Sequence, residues 1–171
     1  MSKAFKGEDA SEAPVVVPPR APLPPGATNY VTPGGLTALQ AEHDKLAAER
    51  ARAEAATEDP DRPRTLSALG VRLAALEERL ATAHVVEPAS MTAEQRAEVR
   101  FGATVRVRGE PGAERRYRIV GVDEADAANG RIAFVAPLAR ALLGKRVGDA
   151  AIVRTPRGEE ELEVLGIAYE A

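Results

Sequence analysis

A leucine stripe that begins just after a double proline break constrains this fold more than any other feature of the chain. Leu66, Leu69, Leu73, Leu76 and Leu80 recur at alternating spacings of three and four, which places them on one face of an α-helix over about residues 64–84. Such a face cannot stay in water, and the nearest helix able to cover it lies immediately upstream. There Thr32-Pro33 offers an N-cap and then a proline at the first helical position, where the missing N–H costs nothing. From this start a helix is predicted to run to about residue 57. It carries Leu36, Leu39 and Leu46 with Ala47 and Ala53, and His43 and Arg50 interrupt the seam. Between the two helices stands Glu58-Asp59-Pro60-Asp61-Arg62-Pro63, where the residue before each proline is steered out of the α region. The expectation is an antiparallel helical hairpin, a short coiled coil over residues 30–86. Its arms are roughly 30 to 38 Å long at the helical rise per residue.

On either side of the hairpin the local grammar changes. Residues 1–29 hold six of the thirteen prolines, so this tail is expected to be extended or disordered with polyproline II character, a spacer rather than a docking peptide. Residues 87–98 read as a linker with a short capped turn near Thr92. From residue 99 to 171 the period falls to two. Thr104-Val105-Arg106-Val107-Arg108 alternates, and Tyr117-Arg118-Ile119-Val120, Arg131-Ile132-Ala133-Phe134-Val135, Ala151-Ile152-Val153-Arg154 and Leu162-Glu163-Val164-Leu165 supply further strands around one short helix over residues 137–143. The fold class expected is α+β, a helical hairpin followed by a small antiparallel sheet packed on one helix.

Composition removes several functions. With 23 basic against 26 acidic residues the net charge is −3, so no general basic surface is available for avid duplex binding and any contact with nucleic acid must be local. The absence of cysteine excludes disulfides, thiolate nucleophiles and cysteine-ligated zinc. No apolar run approaches the roughly 20 residues of a membrane span, and residues 1–10 contain no apolar leader core. A soluble, cytoplasmic, monomeric protein without a membrane partner is expected. His43 and His84 stand alone, and no Ser, His and Asp grouping or glycine-rich phosphate loop occurs. The expectation is therefore no intrinsic catalytic site, no metal and no cofactor.

The motifs of the last third carry a resemblance. Phe101-Gly102-Ala103-Thr104-Val105, Gly121-Val122-Asp123-Glu124-Ala125-Asp126 and Ala136-Pro137-Leu138-Ala139-Arg140-Ala141-Leu142-Leu143-Gly144-Lys145 occur in order behind a helical hairpin. This combination resembles the GreA/GreB family of bacterial transcription elongation factors over about residues 32–169. The resemblance implies an FKBP-like C-terminal domain that grips RNA polymerase at the rim of its secondary channel, and a hairpin inserted through that channel. It assigns polymerase binding to Asp123, Glu124, Asp126, Pro137, Leu138 and Arg140. Ala136 stands where the family commonly has Ser. The same residues, read from spacing alone, also suit an exposed loop and a short helix start.

At the hairpin tip the pattern departs from the family. Cleavage-stimulating members carry an Asp-x-x-Glu-Asn-type motif that helps hold a second Mg²⁺ in the polymerase's own active site. Here Glu58, Asp59 and Asp61 are the candidates for that coordination, with Arg62 and Arg64 beside them as candidate contacts to RNA or the channel wall. Arms one to two turns shorter than in cleavage factors imply a deficit of about 5 to 11 Å. The resemblance therefore implies a regulator of elongation acting with or without transcript cleavage, any Mg²⁺ being the polymerase's. Two alternatives stand beside it, an FKBP-like peptidyl-prolyl isomerase and an adaptor that uses its proline-rich arm on a partner other than polymerase.

Overall fold

The computed structural model describes residues 14–170. A short strand, β1 (Asn29–Val31), leads into helix α1 (Pro33–Ala55). Thr32 caps α1 as the sequence suggests, its hydroxyl oxygen accepting from the Gly35 N–H at 3.0 Å. After the turn, α2 (Arg62–Ala81) returns antiparallel and ends in β2 (Ala83–Val85). Leu39 and Leu46 of α1 close on Leu69, Leu73 and Leu76 of α2, and Leu76 is fully buried. Leu39, Leu46 and the partly buried Ala53 fall at intervals of seven, the coiled-coil period. Arg50 does not interrupt this seam: it lies exposed and pairs with Glu54 one turn on, at 3.0 Å.

Neither strand flanking the hairpin follows from the pattern, because three residues show no usable period. β1 and β2 pair in parallel, Asn29 opposite Ala83 and Val31 opposite Val85, and the Val86 N–H continues the ladder to the Val31 carbonyl. A short helix, α3 (Ala93–Arg96), follows with a complete capping box between Thr92 and Gln95.

Five strands build the C-terminal domain: β3 (Ala103–Arg108), β4 (Glu114–Val120), β5 (Arg131–Ala133), β6 (Ala150–Thr155) and β7 (Gly158–Tyr169). Their order is β5-β4-β3-β7-β6. The expected antiparallel pairing holds for β3 with β4, β3 with β7 and β6 with β7, but β4 and β5 pair in parallel, so the sheet is mixed. Residues 121–130 make this possible by coiling through two 3-10 turns, which carry the chain back to the start of its neighbour. Helix α4 (Pro137–Leu142) lies on the sheet and buries Ala139 and Leu142 against Val105, Ile119 and Val153. The architecture is α+β, a helical hairpin joined to a curled mixed sheet.

The tail expected to be extended or disordered is described from residue 14 on, and residues 1–13 of it lie outside the described residues. Residues 14–28 have no regular secondary structure, yet they run along the hairpin, from Val15 and Val16 beside Arg52, Asp61 and Arg64 near its tip to the base, where Arg20 and Ala21 are tied. Pro24-Pro25-Gly26-Ala27 forms a type II turn, with the Ala27 N–H on the Pro24 carbonyl at 3.0 Å and Gly26 at φ 77°. Proline fixes one central residue of this turn and glycine alone is at ease in the other.

Candidate functional site

Two sites follow from the fold, the junction at the base of the hairpin and the turn at its tip. The junction is assembled from β1, the start of α1 and the 3-10 turn Val122–Glu124. The Glu124 carboxylate accepts from the Thr32 and Gly121 N–H groups, each at 3.1 Å, and from the Thr32 hydroxyl. Thr32 thus relays: it accepts from Gly35 and donates to Glu124. The carboxylate also sits at the positive end of α1, where a negative charge is favoured. Glycine leaves room at both contact points. A Cβ on Gly35 would collide with the Glu124 carboxylate, and one on Gly121 would stand 2.7 Å from the Tyr30 carbonyl oxygen.

Asp123, only 6% exposed, lies between two arginines. Arg20 Nε donates to its Oδ1 at 3.0 Å, and Arg79 Nε lies 3.2 Å from Oδ2 without aiming its N–H at that oxygen. The Arg20 guanidinium also forks onto Glu42, at 2.8 and 3.1 Å, a bidentate charge-assisted contact. These hydrogen bonds hold the Glu42 carboxyl below its ordinary range, against an opposing push from burial. Arg20 therefore joins the proline-rich arm, α1 and the sheet domain. Arg79 fastens the arm at a second point by donating to the Ala21 carbonyl.

An aromatic cluster completes the junction. Tyr30 packs against Phe101 and Phe134 with ring centroids 5.6 and 5.5 Å apart, and the two phenylalanines meet edge to face at 5.6 Å. Tyr169 is engaged elsewhere, accepting from the Arg100 N–H and donating to the Glu98 carbonyl. Burial raises its hydroxyl pKa above the ordinary value. Phe101 and Phe134 are thus engaged in packing and Tyr169 in hydrogen bonds.

The six residues assigned to polymerase binding do not form one surface. Asp123 and Glu124 face inward and hold the hairpin: Thr32 at the start of α1, Arg79 of α2 and Arg20 of the arm are partners far away in sequence. Asp126 is held by neighbouring side chains, accepting from the Asn129 amide at 2.6 Å and the Arg131 guanidinium at 3.2 Å, bonds that lower its pKa, with Asn129 the larger cause. Pro137 and Arg140 are exposed on α4 and Leu138 is partly buried. Exposed Ile152 lies alongside Pro137 and Arg140.

At the tip, Glu58, Asp59 and Asp61 are all exposed. Asp59 accepts from the Asp61 N–H at 2.9 Å, a side-chain turn that shapes the loop. Arg62, a candidate contact to RNA, is instead turned back: it donates to the Ala53 and Glu54 carbonyls at 3.1 Å each and so caps the C-terminus of α1. Arg64 is exposed beside Arg52 and Arg72. Among the described residues, no group of three or more His, Asp or Glu stands close enough to hold a metal ion.

Sequence reasoning missed Arg20, Arg79, Thr32 as a relay, Gly35 and Gly121. Two signals were present. Arg20 is the only charge between Glu12 and Glu42, and two glycines in the first turn of a helix cost about 1 kcal/mol each unless something approaches closely.

Residues 94–169 match the family model described as "Transcription elongation factor, GreA/GreB, C-term". Transcription elongation factor GreB of Neisseria meningitidis serogroup B is 36% identical over 156 residues, covering 82% of this chain and 94% of the relative. Transcription elongation factor GreA of Ralstonia nicotianae is 43% identical over 99 residues, 57% of this chain and 61% of the relative. Among solved structures, a GreA/GreB factor from Nitrosomonas europaea covers 84% of this chain and 99% of its own at 22% identity, with a TM-score of 0.41. A match to a GreB relative along nearly its whole length shows that the chain belongs to the GreA/GreB family of transcription elongation factors.

Proposed function

We propose that this elongation factor binds RNA polymerase at its secondary channel through the sheet domain, inserts the hairpin, and modulates elongation without stimulating transcript cleavage. It works in the cytoplasm and carries no catalytic centre of its own. The observation that carries this reading is the contrast within the hairpin. Its base is fixed to the sheet domain by Glu124, Asp123 and the Tyr30 cluster, while its far end, ~34 Å along α1 at helical rise, is a short exposed turn. A projection anchored at one end and free at the other is suited to reaching into a passage.

Docking falls to the exposed face of α4 and its neighbours, with Pro137, Leu138 and Arg140 as contacts and Asp126 at its edge. Among the described residues Arg140 has no ion-pair partner, so its charge is available to an acidic partner surface. At the tip, Glu58, Asp59 and Asp61 point to solvent rather than converging on one point. Mg²⁺ requires oxygen ligands in near-octahedral geometry, and an unconverged turn supplies at most single carboxylates to an ion that the polymerase holds.

Two measurements on one preparation test the reading. Polymerase binding should weaken at least about tenfold in Arg140→Glu, since reversing a charge at an interface replaces attraction with repulsion. Cleavage of nascent RNA in backtracked complexes should run no faster with the protein than without it. Accelerated cleavage would overturn the regulatory half of the proposal, and undiminished binding by Arg140→Glu would overturn the docking half.

A further inference from the structure

We infer that the arm over residues 14–28 is an intramolecular strap, with Arg20 as the positioning residue that sets the angle at which the hairpin leaves the sheet domain. One side chain has partners on two bodies. Arg20 meets Glu42 on α1 through two nitrogens and Asp123 on the sheet domain through the third, and it is 21% exposed while doing so. A guanidinium offers this planar fork and a lysine ammonium does not. Rotation of the hairpin about its base separates Glu42 from Asp123, and Arg20 cannot then serve both.

The arm is built for this use. Pro22, Pro24 and Pro25 restrict it to a few extended conformations before it docks, which lowers the entropy cost of holding it. The type II turn at residues 24–27 redirects it into β1, so the strap is closed at one end by the β1–β2 pair and at the other by Arg20. Between these ends the Ala21 carbonyl takes a bond from Arg79 of α2. The strap therefore touches both arms of the hairpin and the sheet domain. Asp123 benefits in turn, since a carboxylate taken this far out of water is costly to bury without paired partners.

This inference does not depend on polymerase docking, and its test uses the free protein. The chain contains no cysteine, so Thr57→Cys at the tip and Glu161→Cys on β7 accept one spin label each without further changes. Both positions are exposed. Distances between the labels, measured by pulsed electron paramagnetic resonance in the full chain, should be narrowly distributed when Arg20 is present. Arg20→Ala should raise the population of reoriented hairpins roughly tenfold, the scale expected when charge-assisted hydrogen bonds are lost. Glu42→Gln, which weakens the anchor on α1 alone, should broaden the distribution in the same way, and Arg20→Lys should restore it only in part. Circular dichroism establishes that each variant remains folded. An unchanged distribution in Arg20→Ala would overturn the strap, and so would full restoration by Arg20→Lys or broadening in Arg20→Ala with none in Glu42→Gln.

Discussion

At the base of the hairpin Asp123 and Glu124 each have partners on elements distant in sequence, and a side chain at Gly35 would push the Glu124 carboxylate from its place. At the tip Glu58, Asp59 and Asp61 sit in water, and the one bond among them spans two residues. Residue type is the same in both places, but the consequences of losing a carboxylate are opposite. A buried acid with several donors is part of the framework, because its removal strands those donors away from water. An exposed acid can be lost with little effect on the fold and is free to act on something else. Within this family pattern, acidic residues next to each other in a conspicuous motif can therefore serve the hairpin rather than the partner.

The contrast can be broken most directly at Glu124. Replacing it with Ala should cost about 3 kcal/mol in urea unfolding, because three donors lose their acceptor at a helix start. A loss below about 1 kcal/mol, the net worth of one ordinary hydrogen bond, would place Glu124 with the tip acids instead. Acid should act next. Glu42 has its pKa lowered by Arg20, so its contribution is complete above the unfolded-state value near about 4.3 and is lost as pH falls through the depressed folded-state value. The difference in melting temperature between the wild type and Arg20→Ala should hold steady from neutral pH to about 5 and shrink below about 4. A difference that grows on acidification would contradict the pairing. Smallest of all, the combined change of Glu58, Asp59 and Asp61 to Ala should alter stability by no more than about 0.5 kcal/mol in the same urea titration. A larger loss would mean that the tip, too, is framework.

The parts of this fold with a period were legible beforehand. The leucine stripe gave α2, Thr32-Pro33 gave the start of α1, and alternation located every strand of the sheet domain. What stayed hidden depends on partners far along the chain. Arg20 and Asp123 are 103 residues apart and Thr32 and Glu124 are 92 apart, and no local pattern records such a pairing. The parallel pairing of β5 was unreadable for another reason. Parallel neighbours ordinarily need a helical crossover, and the two 3-10 turns that replace it look like a loop. An arginine beside an acidic turn, as Arg62 is, suits either RNA or a helix carbonyl, and only geometry shows its contacts to the Ala53 and Glu54 carbonyls.

The parallel pair β1–β2 has a consequence for how this molecule can vary. It brings the two ends of the helical segment side by side, Asn29 against Ala83 and Val31 against Val85. Everything between those ends is a cassette with adjacent termini, the arrangement that best tolerates exchange of an inserted unit. Whole turns of coiled coil can be added or deleted at the far end in matched pairs, one from each helix, and the strands at the near end keep their register. Reach and anchorage are thus separate variables in this architecture, and the first can drift over generations while the second is held fixed.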